Sequence, residues 1–144
     1  MKPKNIIFDL NGVLFEESLN NPEIWVPIDE GIEVLRDCAT HRAGHSLYAC
    51  SNVKPRYLEQ LNKHYSDIMG LFTGIVTPET AFSKKPDPEI FRFLLNTYGL
   101  LPKDSVFLDD HKTNIAVAQS LGLSGIHVIA FDQVRQELGK LGIL

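Results

Sequence analysis

Apolar residues in this chain fall alternately into short runs and helical stripes. Within Asn5 to Asp9, Ile6, Ile7 and Phe8 are consecutive and apolar, the pattern of a strand buried on both faces. Ile28, Ile32, Leu35 and Ala39 then recur at helical spacing, which predicts a helix capped by Asp29. The unit repeats: Ser46 to Cys50 reads as a strand, and a helix started by Pro55 carries Leu58, Leu61 and Tyr65 on one face. Leu71 to Val76 supplies a third strand. Asp87-Pro88 then opens a helix with Ile90, Phe91, Leu94 and Leu95 facing inward, ended near Gly99. Val106 to Leu108, a helix from Thr113 to Leu121 stopped by Gly122, a strand from Ile126 to Ala130 and a helix from Asp132 to Leu138 complete the series. Strands separated by helices of crossover length predict a parallel sheet covered on both faces. The expected fold class is α/β, a three-layer α/β/α doubly wound parallel sheet.

At 144 residues the chain is expected to form one domain over positions 1–144, because domains commonly run to about 100–200 residues. Hydrophobic residues at 44% and charged residues at 22% supply a core and exclude a disordered or fibrous chain. The net charge of −4 argues against nucleic-acid and anionic-membrane surfaces, so small molecules are the expected partners. No apolar run approaches the roughly 20 residues of a membrane span. The sequence opening shows no apolar stretch of the kind that directs secretion, so a cytoplasmic location is expected. Cys38 and Cys50 have neither metal-site nor redox spacing and are expected as buried thiols.

In doubly wound sheets, ligands sit beyond the carboxyl ends of the strands. Those ends carry Asp9, Ser51-Asn52, Lys84-Lys85 in the loop before the Pro88 helix, and Asp109-Asp110. Each has an ordinary explanation alone: a turn former, a helix cap, a solvated lysine pair. Their joint placement at successive strand ends points to a site. Three carboxylates crowded at one edge either take up protons or surround a cation. Mg²⁺ is the expected ion, because it prefers oxygen ligands and keeps waters that a phosphate can replace. Lys85 and Ser51 opposite the ion offer donors to a tetrahedral dianion, so a phosphate ester is the expected substrate.

Four motifs carry a resemblance. An apolar strand runs into Asp9-Leu10-Asn11-Gly12-Val13. Next come Tyr48-Ala49-Cys50-Ser51-Asn52, then Lys85-Pro86-Asp87-Pro88, and then Val106-Phe107-Leu108-Asp109-Asp110 with Asn114. In content and order the chain resembles the haloacid dehalogenase superfamily, nearest to its subfamily IA. A receiver domain combines similar residues, but its acidic pair follows the first strand and its lysine comes last. The resemblance implies a Rossmann-like core and a Mg²⁺-dependent phosphatase in which Asp9 is the nucleophile and forms an aspartyl-phosphate. It further implies that Ser51 and Lys85 hold the phosphate, joined by Asn52 at the phosphate or in orienting the loop. Asn114 is expected to orient as well. The implied metal set is Asp9, Asn11 through its backbone carbonyl, Asp110 directly, and Asp109 through water or from behind the direct ligands.

The chain departs from the family pattern at Asn11, where the family's phosphatases carry the aspartate that moves protons. An amide has no comparable proton to exchange. Losing such assistance costs about 10² to 10⁴ in rate, or roughly 3 to 5 kcal/mol of barrier. The expectation is therefore a slow phosphatase. The alternatives are a non-catalytic phosphoryl- and metal-binding relative, or a substrate-trapping Asp-to-Asn variant of an active enzyme. Only 42 positions separate Asp9 from Ser51 and 34 separate Ser51 from Lys85, so neither gap admits a full cap domain and Phe15 to Ile28 is a flap at most. An open site admits phosphorylated small molecules or larger substrates, or borrows a lid from a homodimer partner. Trp25 is expected to pack against the core or such a partner rather than stack on substrate. His111 is expected as a solvated residue in a first helical turn.

Overall fold

A computed structural model describes residues 2–144, leaving Met1 outside. Five parallel strands form the sheet: β1 (Asn5–Phe8), β4 (Ser46–Cys50), β5 (Gly74–Val76), β6 (Ser105–Asp109) and β7 (Ser124–His127). Their spatial order is β5-β4-β1-β6-β7. β1 pairs in register with β4 on one side, Ile6 opposite Leu47, and with β6 on the other, Ile6 opposite Val106. The chain thus winds outward from β1 in one direction and, from β6, in the other, which opens a crevice above the end of β1. The structure has the expected three-layer architecture, with no cap domain between these strands.

Side chains alternate across the sheet. Ile6, Phe8, Leu47, Ala49, Val106 and Leu108 face a core closed by α1 (Asp29–Thr40), α2 (Pro55–His64), the short α3 (Ser66–Met69) and α7 (Phe131–Lys140). Ile7, Tyr48, Cys50 and Phe107 face a second core closed by α5 (Pro88–Tyr98) and α6 (Lys112–Ser120). Both cysteines are buried free thiols, as expected. Among the described residues no helix is long and apolar enough to cross a membrane.

Several boundaries differ from those expected. Ile28, in extended conformation, occupies the cap position of α1, and Asp29 is the first helical residue with no side-chain cap bond. Asp29 therefore acts through its charge at the helix start rather than as a hydrogen-bonding cap. The third strand shrinks to Gly74–Val76, because Leu71 and Phe72 close a turn after α3. The last strand lies at Ser124–His127, pinned by its pairing to β6, and Ile129-Ala130 lead into α7. The segment from Phe15 to Ile28 is an antiparallel ribbon of β2 (Phe15–Glu17) and β3 (Trp25–Pro27). Short helices α3 and α4 (Pro78–Ala81) and a 3₁₀ turn (Pro102–Asp104) fill connections that showed no periodicity.

Candidate active site

Asp9 stands one residue beyond β1, and its N–H donates to the Leu108 carbonyl, extending the ladder into the crevice. Its Oδ1 accepts from the Leu10 N–H at 2.8 Å and lies 2.9 Å from Lys85 Nζ; Oδ2 is open to the cavity above. The chain then folds back tightly, with the N–H groups of Leu14 and Phe15 both donating to the Leu10 carbonyl. This turn needs Gly12 at φ +90°, where a Cβ would stand 2.3 Å from Asp110 Oδ2. Asn11 lines the cavity from the turn, and its bridge to Phe15 ties the turn to the ribbon.

Ser51 closes β4, with its N–H donating to the Val76 carbonyl and its Oγ accepting from the Val53 N–H. The Asn52 amide is committed to the backbone of Lys85: Nδ2 donates to its carbonyl and Oδ1 accepts from its N–H. That clamp sends the Lys85 side chain inward, where it is only 4% exposed. Its Nζ donates to the Cys50 carbonyl and to Asp109 Oδ2, both at 2.8 Å. Lys84 stays in the exposed part of the loop.

Asp109, fully buried at the end of β6, accepts from Lys85 and Asn114 on Oδ2 and from the His111 N–H on Oδ1. Asp110 is different. Its Oδ1 is buried and accepts no hydrogen bond, although His111 Nδ1 lies only 3.1 Å away, so the ring N–H is not aimed at it. Asp9, Asp109, Asp110 and His111 each bring one ligand atom within 4.8 Å of the others.

Burial pushes the Asp9 carboxyl up to about 6; Lys85 opposes the shift, and Asp109 and Asp110 add to it. Burial acts the same way on Asp109, but the Lys85 charge and hydrogen bond, together with hydrogen bonds from the His111 N–H and Asn114, outweigh it and hold that carboxyl below the usual range. Burial would lower the Lys85 ammonium, yet Asp9 leads the neighbouring groups that hold it above its ordinary value. One ammonium thus serves two buried carboxylates, and Asp110, a third exposed, has no lysine or arginine partner among the described residues, only the His111 ring nitrogen at 3.1 Å. An unpartnered buried carboxylate oxygen, a glycine cradle with no room for a Cβ and an oxygen-rich donor set fit a small divalent cation such as Mg²⁺.

The cavity over these residues encloses about 690 Å³ and extends outward to Glu17, Trp25, Lys54, Tyr57 and Lys112. Trp25 is 9% exposed, part of the core, and stacks on Tyr57 at 5.1 Å; only part of it reaches the cavity wall. Of the seven residues singled out in sequence as site candidates, Asp9, Asn11, Ser51, Asn52 and Lys85 line this cavity, while Asp109 and Asp110 cluster with Asp9 at its edge. Glu17, Lys54, Tyr57 and Lys112, which no motif marks, also line the cavity, as does His111, expected from the sequence as a solvated residue of a first helical turn.

A parallel α/β fold with carboxylates and a buried lysine at the switch point defines a charged ligand site beyond the carboxyl ends of the strands. The haloacid dehalogenase-like hydrolase profile matches residues 15–130, and the chain belongs to that family. Asp9 and Asn11 precede the matched stretch. An enolase-phosphatase E1 from Sulfurihydrogenibium is 25% identical over 120 residues, covering 83% of this chain. The chain spans less than half the length of the curated relatives it matches, 46% in that case. A hydrolase from Streptococcus pneumoniae shares the fold, with a TM-score of 0.77 at 20% identity over 96% of this chain and all of the other. A family enzyme from Bacteroides thetaiotaomicron, crystallised with magnesium and inorganic phosphate, gives 0.71 at 18% identity, over 86% of this chain and 93% of the other.

Proposed function

We propose that the protein is a Mg²⁺-dependent phosphate-monoester hydrolase that carries the phosphoryl group covalently on Asp9. The observation that carries this reading is the Asp9 carboxylate itself: Oδ1 is held by the Leu10 N–H and Lys85 while Oδ2 faces the cavity. Oδ2 attacks phosphorus, the bond from phosphorus to the leaving oxygen breaks, and an aspartyl-phosphate forms. The Ser51 hydroxyl and the Lys85 ammonium hold the phosphoryl oxygens. Asp109 and Asn52 position Lys85, one through its ammonium and the other through its backbone. Asp9, Asp110 and the Asn11 carbonyl would hold Mg²⁺, with Asp109 acting through water. The ion would screen the charge between nucleophile and phosphate. The magnesium and phosphate bound by the Bacteroides enzyme support this assignment.

At Asn11 the leaving oxygen departs, and water later attacks the phosphoenzyme, without a carboxyl to pass the proton. The open cavity suits a phosphorylated small molecule or a bulkier phosphoester, and a second subunit is the natural source of a lid. Neither nucleic acid nor a membrane enters this reading. A panel of monoesters with Mg²⁺ tests it. Activated aryl phosphates turn over faster than alkyl phosphates, and Asn11→Asp raises alkyl turnover by about 10² to 10⁴ with a smaller gain on aryl esters. Equal gains on both would remove the proton-transfer account. The same amide supports a second reading, phosphoryl binding without turnover. A covalent adduct on Asp9 formed from an activated phosphate donor excludes that second reading, and failure of both proteins to cleave any ester or form the adduct overturns the first.

A further inference from the structure

We infer that His111 is a metal ligand of this centre and tilts its selectivity from Mg²⁺ toward a first-row transition ion such as Co²⁺. The inference rests on reading the carboxylate cluster as a metal site and adds an imidazole nitrogen to an otherwise oxygen set.

Three observations converge on the imidazole. His111 Nδ1 lies 3.1 Å from Asp110 Oδ1 and 3.4 Å from Asp109 Oδ1. Asp110 Oδ1 is buried and yet accepts no hydrogen bond, so no N–H is aimed across that 3.1 Å gap. A neutral imidazole nitrogen this close to a carboxylate oxygen, with no N–H aimed along the gap, repels it unless a cation lies within reach of both. Metal bonds of about 2.1 Å at right angles place neighbouring ligands about 3.0 Å apart, close to the spacing found.

The backbone keeps the ring there. His111 sits in extended conformation at the start of α6, and its N–H donates to Asp109 Oδ1 at 2.7 Å. Asp110 is held from the other side, its carbonyl bonded to His127 Nε2 at 3.1 Å. The His111 side chain is 70% exposed, so no core packing explains its position. Lys112 beside it lines the cavity but, as an ammonium, offers no ligand atom. Imidazole adds little for Mg²⁺, whereas affinity for nitrogen-containing sites climbs from Mn²⁺ through Co²⁺ and Ni²⁺.

Metal binding without substrate provides the test. Co²⁺ is titrated into the purified protein and followed by visible absorption and proton NMR, with Mg²⁺ as competitor. Coordination through Nδ1 leaves Nε2–H on the ring, which gives an exchangeable, strongly shifted resonance. In His111→Ala that resonance vanishes and the preference for Co²⁺ over Mg²⁺ drops roughly tenfold or more. His111→Gln, which keeps the size but not the imidazole, behaves like the alanine variant. Co²⁺ binding with no shifted imidazole proton, or with the parent's preference for Co²⁺ retained in both variants, overturns the inference while leaving the carboxylate site standing. Unchanged Co²⁺ affinity in Asp110→Asn, or no binding of either ion, removes the underlying metal reading as well. Because no ester is present, a failure of the phosphatase reading shows up separately in the monoester panel.

Discussion

At the scale of single residues, Lys85 decides whether the site exists. Its ammonium is the shared partner of Asp9 at 2.9 Å and Asp109 at 2.8 Å, in a pocket where all three side chains are nearly or fully buried. A buried charge left without its partner costs about 3 to 5 kcal/mol. Lys85→Met therefore lowers stability by about that amount in urea unfolding and abolishes phosphoryl transfer. Because the cost comes from the stranded carboxylates, adding Asp109→Asn to Lys85→Met recovers part of the loss, although Asp109→Asn alone destabilises. Simple addition of the two single effects would disprove the shared-partner account. The same scale holds what the sequence showed best. Asp9, Ser51, Lys85 and Asp109-Asp110 were visible because strand ends in a parallel sheet must converge. The reciprocal bond between Asn52 and the Lys85 backbone was not, since it depends on how a 33-residue excursion returns to the crevice.

At the scale of elements, helix α1 is placed by a close approach rather than by its apolar stripe alone. A Cβ on Gly31 would stand 2.1 Å from the Val13 carbonyl oxygen, a backbone atom of the loop that follows the nucleophile. Glycine to alanine inside a helix ordinarily gains about 0.5 to 1 kcal/mol. Here Gly31→Ala has the opposite sign. It pushes α1 from the loop, destabilises by about 1 to 3 kcal/mol as overpacked sites do, and lowers affinity for phosphate through the displaced Asp9 turn. A urea midpoint equal to or above that of the parent protein would contradict the contact. The elements that escaped sequence reading are the ones too short to show a period. The ribbon has three-residue strands, one ending in Pro27, and α3 and α4 have four residues each. Their backbones are fixed by tertiary partners, such as the Gly12 N–H bonded to the Phe15 carbonyl and the Ile28 N–H bonded to Leu14.

Across the whole molecule, fold and site share one sheet, so binding at the crevice must feed back on stability. The three carboxylates are brought together only when β1 and β6 pair, and the unfolded chain scatters them along more than a hundred positions. A cation that binds the assembled cluster and not the open chain stabilises by mass action, about 1.4 kcal/mol at ten times its dissociation constant. For a domain of this size that raises the melting temperature by roughly 3 to 6 °C. Mg²⁺ is thus expected to raise the melting temperature with a logarithmic dependence on concentration, read by calorimetry against a salt of matched ionic strength. Asp110→Asn removes the carboxylate whose Oδ1 has no protein partner. That variant loses the Mg²⁺ increment, and in metal-free buffer it is no less stable than the parent, since no hydrogen bond to that oxygen disappears and like-charge crowding against Asp9 is relieved. A variant destabilised without metal, or one that keeps the Mg²⁺ increment, would mean that Asp110 serves packing and that the ion is held elsewhere.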